Sequence, residues 1–379
     1  MCDRKPLLKG LVVTRSRTSK LGFSLTNTKG TMKMRYKDMR ADSGSGAKFF
    51  KITLTDGGTA HHLVAKIQDT EDRRKIRGLR HEHNVYKFLN SLVDNKICPF
   101  FLRCYEVKVM SPSNHNTILE NIVLTESFPD TDFTTMVLFM KNAKRSLPTR
   151  QSAVNFMFML LYTIEVMYRV GIRHNDMHLN NIFIISCAAP ITYSISYVRR
   201  DGERATHYLR DVRHIPLIFD NDRATKLSPQ HNVTFHHAHD FYTTNHTPVT
   251  NLFYWHNPLH RTEKLDMYKL MHHLRDATSG RSSAMHDLVR DLCYFESGKR
   301  VCLTQDIKTR SELRKEFKSN AFDDYHIPLK KSRTGSIAKE VVPYWSGMSE
   351  KFLLKLADEL PKERPKNKVI QLRMDKLYA

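Results

Sequence analysis

The sequence predicts an α+β chain in two parts, a small strand-rich part followed by a larger helix-rich one. Three observations predict it. Period-two apolar runs bounded by turn residues dominate as far as residue 125. The stretch Glu126-Ser127-Phe128-Pro129-Asp130 then breaks the pattern. Beyond it, apolar residues recur at helical spacing, most densely over 151–170.

A chain of 379 residues can bury a sizeable core. Its formal net charge is +22, from 61 basic and 39 acidic residues. That surplus favours acidic partners such as nucleotides, nucleic acid, phosphoproteins or anionic lipid, although any single lysine is most simply a solvated surface charge. The six cysteines are scattered with no C-x-x-C pair, which argues against a structural zinc site or a disulfide framework and fits a reducing compartment. The N-terminus is a poor signal peptide. The longest apolar stretch, 156–167, is too short to span a membrane and contains Glu165, so no membrane span is expected. The protein is expected to be intracellular and soluble.

Residues 1–37 are basic, rich in Ser and Thr and weakly periodic, and read as an extension. A small-residue loop holding Gly44 and Gly46 leads into 49–54, a turn at Asp56-Gly57-Gly58, and 62–67; a D-G signal between β-rich runs reads as a hairpin. Glycines there let backbone N–H groups approach a phosphate, though G-x-G is common in loops. Lys66 lies on the return strand, where an edge lysine pointing to water is the competing account. Val85, Phe88 and Leu89 mark a helix, with Glu82 one turn earlier as a partner for Lys66 or a solvated carboxylate. Strands are expected over 100–109 and 121–125.

After the break, the helix over 151–170 stops at Gly171 and delivers Arg173-His174-Asn175-Asp176-Met177-His178-Leu179-Asn180-Asn181, followed by the apolar run 182–185. Asp220 closes a second apolar run, 216–219. Two carboxylates and an amide at strand ends can hold magnesium and steer a hydroxyl toward a phosphate, which points to phosphoryl transfer. Between the acids, the alternating run 191–198, a turn at 200–203 and a return over 206–209 read as a hairpin insert. The histidines at 231, 236, 237, 239 and 246 have no diagnostic metal spacing and favour a polar loop over a metal site. Further helices are expected from 265, over 283–295 and over 349–360, and 361–376 reads as a basic tail.

In this arrangement the residues resemble a protein kinase. His174-x-Asp176 followed by Asn181 matches the H-x-D-x-x-x-x-N catalytic loop, and Val64-Ala65-Lys66-Ile67 matches the strand bearing the nucleotide lysine. Glu82, Asp220 and Asp266 fit the helical partner, the magnesium aspartate and the acid opening a buried helix. His178, two residues after Asp176, and the Tyr-containing hairpin are similar to the haspin branch and to divergent serine/threonine kinases of large DNA viruses. The resemblance covers residues 38–300. It departs from the family where Phe49 stands near the third glycine, where Asp220-Asn221-Asp222 replaces D-F-G, and where no A-P-E follows.

The resemblance implies a bilobal kinase-like fold: a basic extension over 1–37, an N-lobe over 38–126, a C-lobe over 127–330 with its insert at 186–215, and a C-terminal helix and basic tail over 331–379. It implies an ATP-dependent serine/threonine protein kinase using Mg²⁺. Asp176 would be the base and Lys66 the phosphate ligand, with Gly44, Gly46, Glu82, Glu126 and Phe128 serving the nucleotide and Asn181 and Asp220 the metal. The implied partner is a protein substrate, acidic or associated with nucleic acid; no motif supports direct nucleic-acid binding. If viral, the location would be host cytoplasm or virion. A choline- or aminoglycoside-kinase-like phosphotransferase and a pseudokinase scaffold remain the alternatives.

Overall fold

The computed structural model describes residues 11–16, 23–27, 30–31, 33–38, 48–56, 59–70, 73–110, 119–127, 133–170, 172–174, 176–198, 202–221, 224–226, 264–279, 283–293, 348–366 and 368–374. The chain divides into two units: Met1–Asn95 with Phe101–Phe133, and Lys96–Phe100 with Thr134–Ala379.

In the first unit, alternation builds two antiparallel sheets. The smaller runs β1-β2-β3, from Val12–Arg15, Phe23–Asn27 and Gly30–Thr31. The larger has the order β4-β5-β6-β8-β7, from Lys33–Asp38, Lys48–Asp56, Thr59–Thr70, Cys104–Met110 (β7) and Leu119–Glu126 (β8). Helix α1, Arg73–Asp94, connects β6 to β7 and packs against both. Ile52, Leu54, Leu63, Ala65, Ile122 and Leu124 bury one face of the large sheet together with Val13, Phe23 and Leu25. The stretch read as a basic extension therefore contributes strands and core side chains. Its strands have at most six residues, too short for alternation to stand out.

The second unit is organised around α4, Arg150–Arg169, most of which is buried. Thr149 and Ser152 form a reciprocal capping box at its start. Ahead of it come β9 (Phe133–Thr135), α2 (Met136–Lys141) and α3 (Ala143–Ser146). After it come β10 (Ile172–Arg173), a single 3-10 turn at Leu179–Asn181, and the long strands β11 (Ile182–Val198) and β12 (Arg204–Ile218). Strand β13 (Thr225–Lys226) pairs back onto β10. Helices α5 (Lys264–Thr278), α6 (Ala284–Cys293) and α7 (Met348–Ala357) and strand β14 (Val369–Arg373) complete it.

The expected insert hairpin is the upper part of a longer one. Strands β11 and β12 pair from Ile182↔Ile218 to Val198↔Arg204, with register shifts between residues 186 and 193. Gly202, at φ +88, lies in the connection, where a side chain would be strained. Strand β14 adds to β11 in parallel, Thr192↔Val369 to Ser196↔Arg373; Leu372 on it and Met374 just after it are buried. Part of the stretch read as a tail is thus sheet.

Residues 96–100 belong to the second unit for a visible reason. The Tyr162 hydroxyl donates to the Ile97 carbonyl at 2.7 Å, and the Ile218 N–H donates to the Phe100 carbonyl at 2.9 Å. The scattered cysteines include one that is bridged. Cys98 and Cys104 are buried thiols outside any disulfide, whereas Cys187 is disulfide-bonded. A bridge closed by tertiary structure leaves no C-x-x-C signature in the sequence. Among the described residues, no helix is long and apolar enough to cross a membrane.

Candidate active site

The segment after α4 is held by its histidine. His174 is fully buried, and its N–H donates to Asp266 Oδ2 on α5 at 2.8 Å. Its Nδ1 accepts the Asp176 N–H at 3.3 Å, so the ring hydrogen sits on Nε2 and is donated to the Phe219 carbonyl at 2.8 Å. One neutral imidazole thereby ties together the Asp176 segment and the end of β12. This is a bracing role and not a base's.

Asp176 is nearly buried, and its carbonyl accepts two hydrogen bonds, from the His178 N–H at 2.9 Å and from Asn181 Nδ2 at 3.0 Å. The 3-10 turn brings Asn181 back toward Asp176, and the Asn181 N–H donates to the His178 carbonyl at 2.9 Å. Because Ile182 pairs with Ile218, Asn181 and Phe219 fall at the same end of the hairpin. The Phe219 N–H donates to the Asn181 carbonyl at 3.1 Å. Asp220 follows at φ +60, in the left-handed region that non-glycine residues rarely adopt. The second unit therefore collects Asp176, Asn181 and Asp220 around one hydrogen-bonded hub.

Asn181 commits its Nδ2 inward, which leaves Oδ1 as its acceptor atom. Asp220 follows Phe219 with a carboxylate, and an amide oxygen with a carboxylate is the all-oxygen donor chemistry that suits Mg²⁺. Among the described residues no group of three or more His, Cys, Asp or Glu is arranged to hold a metal.

In the first unit, Lys66 lies between the buried Ala65 and Ile67, and period two turns it to the opposite sheet face. Its ladder partners are Phe49 and Val123. Val123 packs with Tyr86 of α1, so Lys66 is on the face that α1 covers. Glu82 is buried on the same helix, one turn before Tyr86. Lysine and glutamate therefore occupy facing surfaces of β6 and α1.

Glu126 has an occupation the sequence reading missed. Its carboxylate accepts the Arg103 N–H at 2.6 Å and Arg103 Nε at 3.2 Å in a buried pair. Its own N–H donates to the Arg103 carbonyl at 2.9 Å, and the Ser127 N–H donates to the His62 carbonyl at 3.0 Å. Neither N–H remains for an adenine. The signal was legible: Arg103 interrupts the apolar run 100–104, and a buried guanidinium requires a partner. Gly44, Gly46, Phe128 and the histidines of 231–246 lie outside the described residues.

No family model matches this chain, and no curated protein matches it. Among solved structures it is similar to a crystal structure of a kinase domain, at 10% identity over 92% of this chain and 94% of that one, with a TM-score of 0.34. At that score the likeness carries no weight of its own, and the reading of the site rests on the residues.

Proposed function

We propose that the chain is an ATP-dependent protein kinase that transfers the γ-phosphate to serine or threonine hydroxyls. The observation that carries this reading is the hub itself, in which Asn181 bonds both the Asp176 carbonyl and Phe219, next to Asp220. Asp176 orients the acceptor hydroxyl and takes its proton. Asn181 and Asp220 would hold magnesium, which when bound neutralises charge on the phosphoryl oxygens. Lys66, positioned by Glu82, would meet the α- and β-phosphates. His174 and Asp266 keep the base's segment from moving as charge develops, so little reorganisation is needed at the moment of transfer.

Asp176→Asn and Lys66→Met should each lower phosphorylation by ~10²-fold or more. The measurement is transfer of labelled phosphate from Mg·ATP into a mixed protein extract, with Asp176→Asn as control. Label appearing on choline or an aminoglycoside instead would favour a small-molecule phosphotransferase. Nucleotide binding without transfer would favour a scaffold. Equal rates in wild type and variants would sink the site assignment.

A further inference from the structure

His178 reaches further than a cap requires. Its Nδ1 accepts the Asn180 N–H at 3.2 Å and so caps the 3-10 turn that sets Asn181. An Asn, Asp, Ser or Thr at this position would cap as well with a smaller side chain. The imidazole adds a second nitrogen, and that nitrogen lies 3.5 Å from Asp176 Oδ2. Because Nδ1 is an acceptor, a neutral ring bears its hydrogen on Nε2, the atom facing the carboxylate. The ring of His273, on α5, stands edge-on to it with centroids 6.0 Å apart, which limits rotation of the imidazole. The His178 side chain is 25% exposed, unlike fully buried His174, so it reaches the open side of the hub.

We propose that His178 is a positioning residue for Asp176: its Nε2–H holds Oδ2 and thereby fixes the rotamer in which the carboxylate meets the acceptor hydroxyl. This rests on the reading of Asp176 as the base. The two histidines then divide the work. His174 fixes the backbone of the segment from inside, and His178 fixes the side chain of its acid from outside.

The test uses variants of the full chain that separate the two ring nitrogens. His178→Asn keeps an oxygen within capping reach and removes the donor to Asp176. The expected result is a fall in kcat of about tenfold or more, with KM for ATP and Tm unchanged. His178→Gln places an N–H donor near the Nε2 position and should recover most of the loss. Wild-type turnover in His178→Asn, or a Tm that falls in step with kcat, overturns the proposal. Nitrogen NMR of labelled histidine supplies a readout independent of activity. The His178 signal, identified by its loss in His178→Gln, should be that of an Nε2-protonated neutral ring and should move in Asp176→Asn. An Nδ1-protonated ring, or a signal indifferent to Asp176→Asn, overturns the proposal. The expected tautomer in a protein that transfers no phosphate would overturn the kinase reading and leave the contact standing.

Discussion

Asn221 is fully buried, and its carboxamide meets no hydrogen-bonding partner among the described residues, at either Oδ1 or Nδ2. A buried amide without partners costs about 1–3 kcal/mol, whereas leucine of similar shape carries no such penalty. Asn221→Leu should therefore raise the urea unfolding midpoint without changing its slope; a lower midpoint would mean that the amide is satisfied. The position follows Asp220, whose positive φ is a second local cost at the same spot. Sequence reading noticed that Asn221 stands where kinases carry an apolar residue. It could not register the missing partners, because hydrogen bonding to a buried amide depends on the packing around it. His174 shows the opposite case: buried as well, it has three hydrogen bonds around it that account for its bracing role.

Among the elements, α4 and the β11–β12 hairpin were legible because each is long and strongly periodic. Strand β14 was not. Its pattern is Val-Ile-Gln-Leu-Arg, set behind lysines and prolines that resemble a solvated tail, and its pairing partner is far away in sequence. The structure ties this region down at two points. Arg150, at the start of α4, bonds Glu359 through Nε and Nη2 at 2.8 and 2.7 Å, and Asp291 of α6 through Nη1 at 2.8 Å. These groups are over a third exposed, so the ion pairs contribute little beyond orientation. Apolar burial by β14 contributes more. Leu372 is 1% exposed, and Leu372→Ala should cost about 2–5 kcal/mol, measurable as a shifted denaturation midpoint. A cost near zero would mean that the strand does not hold its place in the sheet.

At the scale of the whole molecule, stability should depend on pH through two histidines of the second unit. Burial lowers His207 below its ordinary value of 6.5, with Asp358 opposing and Lys362 reinforcing the shift. Burial also lowers His214, reinforced by Arg213 and opposed by the Ser146 backbone. The unfolded chain then binds protons more readily than the folded one. Both contributions are present above pH 6.5 and are lost as pH falls from there through the lowered folded values. Tm should decline between about pH 7 and pH 5, and less so in a His207→Gln/His214→Gln double variant; an identical decline would exclude these groups. The two-part organisation was also legible, since strand period gives way to helix period near residue 126. The assignment of 96–100 was not, because it is made by hydrogen bonds to Tyr162 and Ile218 that no local pattern announces.

The parallel ladder of β11 and β14 also sets a clock. Thr192 pairs with Val369, a partner synthesised 177 positions later. At a translation rate of about 5–20 residues per second, that interval lasts roughly 10–35 s. Throughout it, residues 192–196 of β11 lack the neighbour that β14 supplies, and an unpaired strand edge is the kind of surface on which chaperones and aggregation compete. The strand leading out of the proposed catalytic turn thus gains its parallel neighbour only after β14 has been synthesised.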